Sequence, residues 1–103
     1  MNEKLSRAVN QTAELFKVCG DATRANIICE LREGECSVSE LADRLGMTVS
    51  AVSHQLRILK STRIVGSRRE GKSVLYALES AHIRQVFDLT LQHVMGGESH
   101  EMD

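Results

Sequence analysis

Apolar residues recur at intervals of three and four residues along the first third of the chain, which is the spacing of one face of an α-helix. Residues 5–17 contain one such set and predict a first helix. A second helix is predicted after Asp21, whose side chain suits the start of a helix, and it ends before Gly34. The apolar positions of these two helices are Leu5, Val9, Ala13, Phe16, Ile27, Ile28 and Leu31.

Two shorter helices are predicted next. Residues 37–40, Ser-Val-Ser-Glu, have the pattern of a capping box and predict the start of a third helix, which stops at Gly46. Thr48 suits the start of a fourth helix. Its apolar positions are Val49, Val52, Leu56 and Leu59. Two short helices joined by a tight turn that contains glycine are typical of a helix-turn-helix.

After Arg63 the spacing of apolar residues changes. Residues 64–69 and 73–78 predict two strands, with a turn at 70–72. A final helix is predicted from Ser80 to Met95, and Gly96-Gly97 is expected to end it. Its apolar face contains Ile83, Val86, Phe87, Leu91 and Val94. The predicted fold is mainly α with a two-stranded β-hairpin (α-α-α-α-β-β-α), as one domain over residues 1–95 and a polar C-terminal tail over 96–103.

The net charge of −1 conceals an uneven distribution. Residues 44–72 contain seven of the thirteen basic residues and a single acidic one, whereas both flanking regions are net acidic. A confined positive surface is what binding to phosphates requires. A solvated basic face without a partner is the alternative.

The fourth helix places polar and cationic side chains between its core positions, which suits base edges and phosphates in a major groove. Ser50 and Ser53 lie near its start, where side chains enter the groove first. Gln55 suits an adenine edge, while Arg57 and Lys60 suit phosphates. The complete predicted DNA-binding set is Ser50, Ser53, His54, Gln55, Arg57, Lys60, Arg68, Arg69 and Lys72. An ordinary amphipathic helix with a polar outer face is the alternative.

Other classes of protein are disfavoured by what the sequence lacks. A chain of 103 residues forms one domain, and no apolar run is long enough to predict a membrane span. An odd number of cysteines, three, and the lack of a signal-peptide core favour a cytoplasmic protein. No phosphate-binding glycine loop or nucleophile motif predicts an enzyme.

Residues 50–57, Ser-Ala-Val-Ser-His-Gln-Leu-Arg, followed by the basic hairpin and Tyr76, resemble the ArsR/SmtB family of metal- and stress-responsive repressors. Residues 16–24 resemble the family segment that leads into its second helix, with Ala22 in place of the usual proline. The resemblance covers residues 13–93. It implies a winged helix-turn-helix repressor, a homodimer through its first and last helices, that leaves an inverted repeat in double-stranded operator DNA when an inducer binds.

Two histidines of the last helix, His82 and His93, are eleven residues apart, which places them within about 20° of one another around the helix. They are also about 16 Å apart along its axis, whereas zinc–nitrogen bonds are only about 2 Å long. One metal can therefore join them only if two such helices pack antiparallel across a two-fold axis, so that His82 of one chain meets His93 of the other.

Zinc-sensing members of the family resemble this arrangement, which implies zinc or a similar divalent metal as the inducer. Ser80 stands where those members carry an aspartate, and Gly96 stands where they carry the last ligand. Supplementary donors are predicted among Glu79, Ser80, Glu98 and His100. Two interface histidines that bind no metal are the alternative.

The second hypothesis is a thiol sensor for oxidants, reactive sulfur or thiophilic metalloids. Cys29 resembles the second-helix cysteine of the oxidant-sensing members, although their partner cysteine in the last helix is absent. Cys36 lies near the place where arsenic- and cadmium-sensing members carry a cysteine pair, and Cys19 completes the set. Each of the three also suits a small core position. A third hypothesis is a dimeric protein-interaction module.

Overall fold

The computed structural model describes the backbone of residues 1–102 and the side chains of residues 1–97. Its elements, in chain order, are α1 (Glu3–Cys19), α2 (Ala22–Arg32), β1 (Cys36–Ser37), α3 (Val38–Leu45), α4 (Val49–Ser61), β2 (Val65–Glu70), β3 (Ser73–Leu78) and α5 (Ala81–Met102). The predicted order of four helices, a hairpin and a last helix is confirmed. The fold is a winged helix-turn-helix.

Short polar side chains set the starts of α2 and α4 as the sequence predicted. The Arg24 backbone N–H donates to Asp21 Oδ2 at 3.1 Å, and the Ala51 backbone N–H donates to Thr48 Oγ1 at 3.1 Å. Each bond satisfies a backbone donor that has no partner inside the helix.

Helix α3 is closed at both ends by residues that the sequence singled out. The Glu40 backbone N–H donates to Ser37 Oγ at 3.2 Å, and the Ser37 backbone N–H donates to Glu40 Oε1 at 3.0 Å, which completes the capping box. Gly46 ends the helix with φ 64°, a left-handed conformation that glycine adopts without strain. This turn fixes the angle at which α4 leaves α3.

The three strands form one antiparallel sheet in the order β1-β3-β2. Arg68 of β2 lies opposite Leu75 of β3, and Leu75 lies opposite Ser37 of β1. Strand β1 was not predicted, because two residues are too few to show the alternation of a strand and Ser37 also belongs to the capping box. The predicted two-stranded hairpin is therefore the larger part of a three-stranded sheet.

The core lies where α2, α3, α4 and the base of the hairpin meet. Its buried side chains are Cys19, Ile27, Ile28, Leu31, Cys36, Leu41, Ala42, Val52, Leu56, Leu59, Ile64, Val65 and Ile83. Within the described side chains, the core contains no polar or charged residue. Val49 was predicted on the apolar face of α4 but is exposed, because the first turn of that helix extends beyond the core.

The predicted end of the last helix at Met95 is wrong, because α5 continues through Gly96 and Gly97 to Met102. A glycine ends a helix by adopting a left-handed conformation. The glycines that have positive φ are Gly34, Gly46 and Gly71, so the pair in α5 does not form such a cap. Each glycine weakens a helix by about 1 kcal/mol relative to alanine but does not block its hydrogen bonds.

The outer helices leave a continuous set of apolar side chains in solvent. Leu5, Val9 and Phe16 of α1 are exposed, and so are Val86 and Leu89 of α5, the last at 67%. All of these positions except Leu89 were predicted on the apolar faces of the two helices. The structure adds that the protomer does not cover them. Large exposed apolar patches mark interaction surfaces.

Candidate nucleic-acid interface and effector site

Helix α4 turns one polar arc directly away from the core. Counting 100° per residue from the buried Val52, the positions of Ser50, His54 and Arg57 lie within about 50° of the direction opposite the core. All three are exposed. Ser53 lies at the edge of this arc and is half-buried. An exposed helix face of short polar and cationic side chains has the size and chemistry to enter a major groove.

Gln55 lies away from that arc, although the sequence placed it in the base-contacting set. Its side chain is half-buried, and its Oε1 accepts a hydrogen bond from Arg24 Nη1 of α2 at 3.3 Å. Arg24 is itself held by the carbonyl of Val18, which accepts from Nε at 2.7 Å. The amide oxygen of Gln55 therefore joins α4 to α2 in the DNA-free protein.

The hairpin β2-β3 lies beside α4 and is joined to it by a hydrogen bond. Lys60 Nζ donates to Ser67 Oγ of β2 at 2.7 Å. Because side chains alternate between the two faces of a strand, Arg69 shares the face of Ser67, while Arg68 shares the opposite face with Glu70. The two adjacent arginines, which the sequence treated alike, therefore differ in environment.

Among the side chains that the structure describes, Arg68 is the one predicted DNA-binding cation that forms an ion pair. Its guanidinium donates to both oxygens of Glu35, at 3.0 and 2.5 Å, and to Glu70 Oε2 at 2.8 Å. The hydrogen bonds that Arg68 donates to Glu35 and then to Glu70 raise the pKa of Arg68, and the bond from Arg68 lowers the pKa of Glu35. The predicted cations that form no ion pair with any residue the structure describes are Arg57, Lys60, Arg69 and Lys72.

Helix α5 is fastened to the end of α2. Arg32 Nε and Nη2 both lie 2.6 Å from Asp88 Oδ1, and Arg84 Nη1 donates to the carbonyl of Arg32 at 2.8 Å. Arg32 is the last residue of α2, so the second bond satisfies a carbonyl at a helix end. These contacts connect the helix that carries the histidines with the helix that carries Arg24 and contacts α4.

The histidines lie on the exposed apolar strip of α5. Their positions, with those of Val86 and Leu89, fall within an arc of about 60° around the helix, and His82 and His93 are both exposed. Nowhere in residues 1–97 do three histidine, cysteine or acidic side chains cluster closely enough to hold a metal ion. One protomer alone therefore does not form the predicted site.

Of the four supplementary donors, the two whose side chains the structure describes have contacts within the protomer. Ser80 Oγ accepts from the Ile83 backbone N–H at 3.1 Å and caps α5. The Glu79 carboxylate lies over Gly66 of the sheet, where a Cβ would come within 3.0 Å of its Oε2. The side chains of Glu98 and His100 lie outside the described residues.

The cysteines are separate and mostly buried. Cys19 and Cys36 are buried and Cys29 is half-buried, and all three are free thiols. Burial raises the pKa of Cys19 and of Cys36, against the opposing charges of Arg24 and Arg44 respectively. Two of the three candidate thiols are therefore protonated at neutral pH, which disfavours them as nucleophiles or metal ligands.

Comparison with known proteins places this geometry in a family. Residues 21–67 match the model described as "Bacterial regulatory protein, arsR family". The chain is 38% identical over 88 residues to the HTH-type transcriptional regulator NmtR of Mycobacterium tuberculosis, covering 85% of this chain and 73% of that one. The chain belongs to the ArsR family. This member is thus a DNA-binding transcriptional regulator and not an enzyme, as the sequence predicted.

Two further matches bear on its partners. The chain is 37% identical to the cadmium resistance transcriptional regulatory protein CadC homolog of Staphylococcus aureus, covering 79% of this chain and 68% of that one. Its fold matches the homodimeric winged helix-turn-helix DNA-binding domain Mb0332 of Mycobacterium bovis, with TM-score 0.83 and 27% identity, over 100% of this chain and 94% of that one. Two other regulators are about as similar in sequence to this ArsR-family chain as NmtR is. The chain spans 56% of the length of one and 64% of the length of the other.

Among the helices that the structure describes in this ArsR-family chain, none has the length and apolar character to cross a bilayer.

Proposed function

We propose that the protein is a cytoplasmic repressor that binds an inverted repeat in double-stranded DNA as a homodimer. The observation that carries this proposal is the outward arc of α4 beside a hairpin whose Arg69 and Lys72 have no ion-pair partner among the described residues. Such a surface offers polar groups to base edges and cations to the flanking phosphates.

The second copy is supported by the exposed faces of α1 and α5. A 103-residue chain buries a modest fraction of its surface by itself, and an isologous contact between these faces would remove the exposed leucines, valines and Phe16 from water. The solved relative Mb0332 is homodimeric. Two recognition helices related by a two-fold axis require an operator with the same symmetry.

The test of DNA binding is fluorescence anisotropy of the metal-free, reduced protein on DNA from its own promoter, over a range of salt concentrations. We expect log K to fall linearly with log salt, by about 0.9 for each phosphate contacted. Arg57→Gln should reduce this slope, whereas Arg7→Gln, an exposed arginine of α1, should leave it unchanged. An affinity independent of salt would contradict the proposal and favour a protein-interaction module.

The proposed inducer is zinc or a similar divalent metal, held by His82 of one protomer and His93 of the other. The support is that both histidines lie on the apolar strip that a second copy would cover. A relative of this chain is a regulator of cadmium resistance by name. A bound cation would alter the packing of two α5 helices, and the contacts of Arg32 with Asp88 and Arg84 would carry that change to α2.

Stoichiometric zinc is expected to weaken operator binding by tenfold or more, which is about 1.4 kcal/mol. His82→Ala and His93→Ala should each abolish this effect and also the visible absorption of bound Co²⁺, while Gln92→Ala on the same helix should preserve both. An unchanged zinc effect in the double histidine variant would refute the site. If zinc has no effect and DNA binding is intact, the thiol-sensor hypothesis would be tested next at Cys29, the most accessible of the three thiols.

A further inference from the structure

The two adjacent arginines of the hairpin face opposite sides of the sheet. Arg69 lies on the face of Ser67, to which Lys60 of α4 donates a hydrogen bond. Arg68 lies on the other face, where its side chain reaches Glu35. The two arginines carry the same charge, but their positions along the strand place them in different environments.

The contact between Arg68 and Glu35 spans the sheet. Arg68 belongs to β2, which is one edge strand, and Glu35 directly precedes β1, which is the other edge. The guanidinium must therefore pass over β3 to reach the carboxylate. Glu70, two residues further along β2, closes the arrangement from the side of the hairpin turn. Bidentate pairing of this kind depends on the planar fork of arginine, which lysine does not possess.

The charge around Arg68 does not favour a phosphate. Two carboxylates surround one guanidinium, so this group carries a net negative charge. A phosphate at Arg68 would approach both carboxylates and would have to replace the hydrogen bonds to Glu35. Arg69 and Lys72 carry no such penalty, since neither forms an ion pair within the described residues.

We propose that Arg68 is a positioning residue rather than a phosphate contact: the Glu35–Arg68–Glu70 cluster fastens the hairpin across the sheet, and so holds Arg69 on the face that contacts α4 and fixes the turn that carries Lys72. A two-stranded hairpin has little stability of its own, so a tie across all three strands restricts the positions that its turn can occupy. This inference rests on the proposed DNA-binding function and extends it to the hairpin.

Matched variants distinguish positioning from contact. Arg68→Lys retains the charge and loses the bidentate geometry, and Glu35→Gln removes the charge of the partner. We expect each to weaken operator binding by about two- to fivefold, the size of an exposed ion pair, without changing the salt slope. Arg69→Gln should instead lower that slope by about 0.9. Combining Arg68→Lys with Glu35→Gln should weaken binding no more than either change alone, because both break the same contact.

A second measurement does not depend on DNA. Amide hydrogen exchange at residues 70–73 of the free protein should become faster in Arg68→Lys and in Glu35→Gln, and should be unchanged in Arg69→Gln. The inference is overturned if Glu35→Gln strengthens operator binding, or if Arg68→Lys binds normally while Arg68→Gln loses salt dependence. Those results would make Arg68 a phosphate contact and Glu35 its competitor. A wild-type protein that binds no DNA would refute the proposed function, while the exchange rates would still test the cluster.

Discussion

Helices α3 and α4 bury most of their apolar side chains within the protomer, with Val49 as an exception, whereas α1 and α5 leave Leu5, Val9, Phe16 and Leu89 in solvent. The first pair has caps at its helix starts, a left-handed glycine between its helices and a hydrogen bond to the hairpin. Helices α1 and α5 contact the core on one side. On the other side they expose a strip of apolar side chains, which we call the uncovered strip: Leu5, Val9, Phe16, Val86 and Leu89. The half that is proposed to face DNA is thus complete in one chain, and the outer half is not.

This difference separates two kinds of function. A recognition helix must keep its shape before it meets DNA, so local caps and a closed core suit it. A site that responds to an inducer must change the packing between parts, and a surface shared by two chains provides that freedom. The histidines of α5 lie on the incomplete side, which agrees with the proposed division.

The largest effect on operator affinity is expected from a charged residue introduced into the uncovered strip. Leu89→Asp places a charge at the most exposed large apolar side chain of α5 within residues 81–97, and we expect a monomer by sedimentation equilibrium. Operator affinity should fall by about 100-fold or more, because two linked half-sites become one. Gln92→Asp adds the same charge about 60° away around the helix, outside the arc that contains His82, Val86 and Leu89, and should remain dimeric. A dimeric Leu89→Asp protein would show that this strip is not the interface.

The turn between α3 and α4 is the next test, because it belongs to the complete half. Gly46 has φ 64°, and Gly46→Val should cost about 1–2 kcal/mol in free energy of unfolding. Urea titration measures this cost. Gly46→Asn should be milder, since asparagine tolerates left-handed conformations. Equal losses in the two variants would mean that crowding, and not backbone conformation, limits this position.

The capping box of α3 gives a smaller and pH-dependent effect. Ser37→Ala should lower the free energy of unfolding by about 1 kcal/mol. Hydrogen bonds from Ser37, first from its backbone, lower the pKa of Glu40 below its ordinary value. The ionised carboxylate therefore stabilises the fold fully above its unfolded-state pKa, and this contribution is lost as pH falls through the lower, folded value.

Thermal unfolding of Glu40→Gln against wild type measures that contribution. The difference in Tm should be present at pH 7 and should shrink at acidic pH. A difference that stays constant from neutral to acidic pH would assign the effect to the shape of the side chain, not to its charge.

The smallest expected effect concerns Arg63, which follows α4 with φ 61°. Arg63→Gly should leave stability unchanged or raise it by up to about 1 kcal/mol, because relief of left-handed strain outweighs the added flexibility of glycine. Differential scanning calorimetry measures the shift. Arg63→Ala keeps the strain and serves as the control, and an equal gain in both variants would attribute the change to loss of the side chain.

The features that were predicted correctly from the sequence are those that depend on neighbouring residues alone. The caps at Asp21, Ser37 and Thr48 and the glycine stop at Gly46 need only neighbouring residues, and the structure confirms all four. The pairing of Arg68 was missed, because Glu35 lies 33 positions away and the two meet only when the sheet forms. The glycine pair in α5 led to the wrong prediction of the helix end. A glycine caps a helix only where its backbone adopts the left-handed conformation, and this pair does not.

The uncovered strip on α1 and α5 also makes protein dose a regulatory variable. A protomer that needs a second copy to cover this surface becomes more stable as the concentration of the chain rises. Well below the dissociation constant of such a pair, doubling the number of chains raises the number of pairs by about fourfold. A promoter under its control would then respond more steeply to the expression level of the regulator than a single-chain binder could achieve.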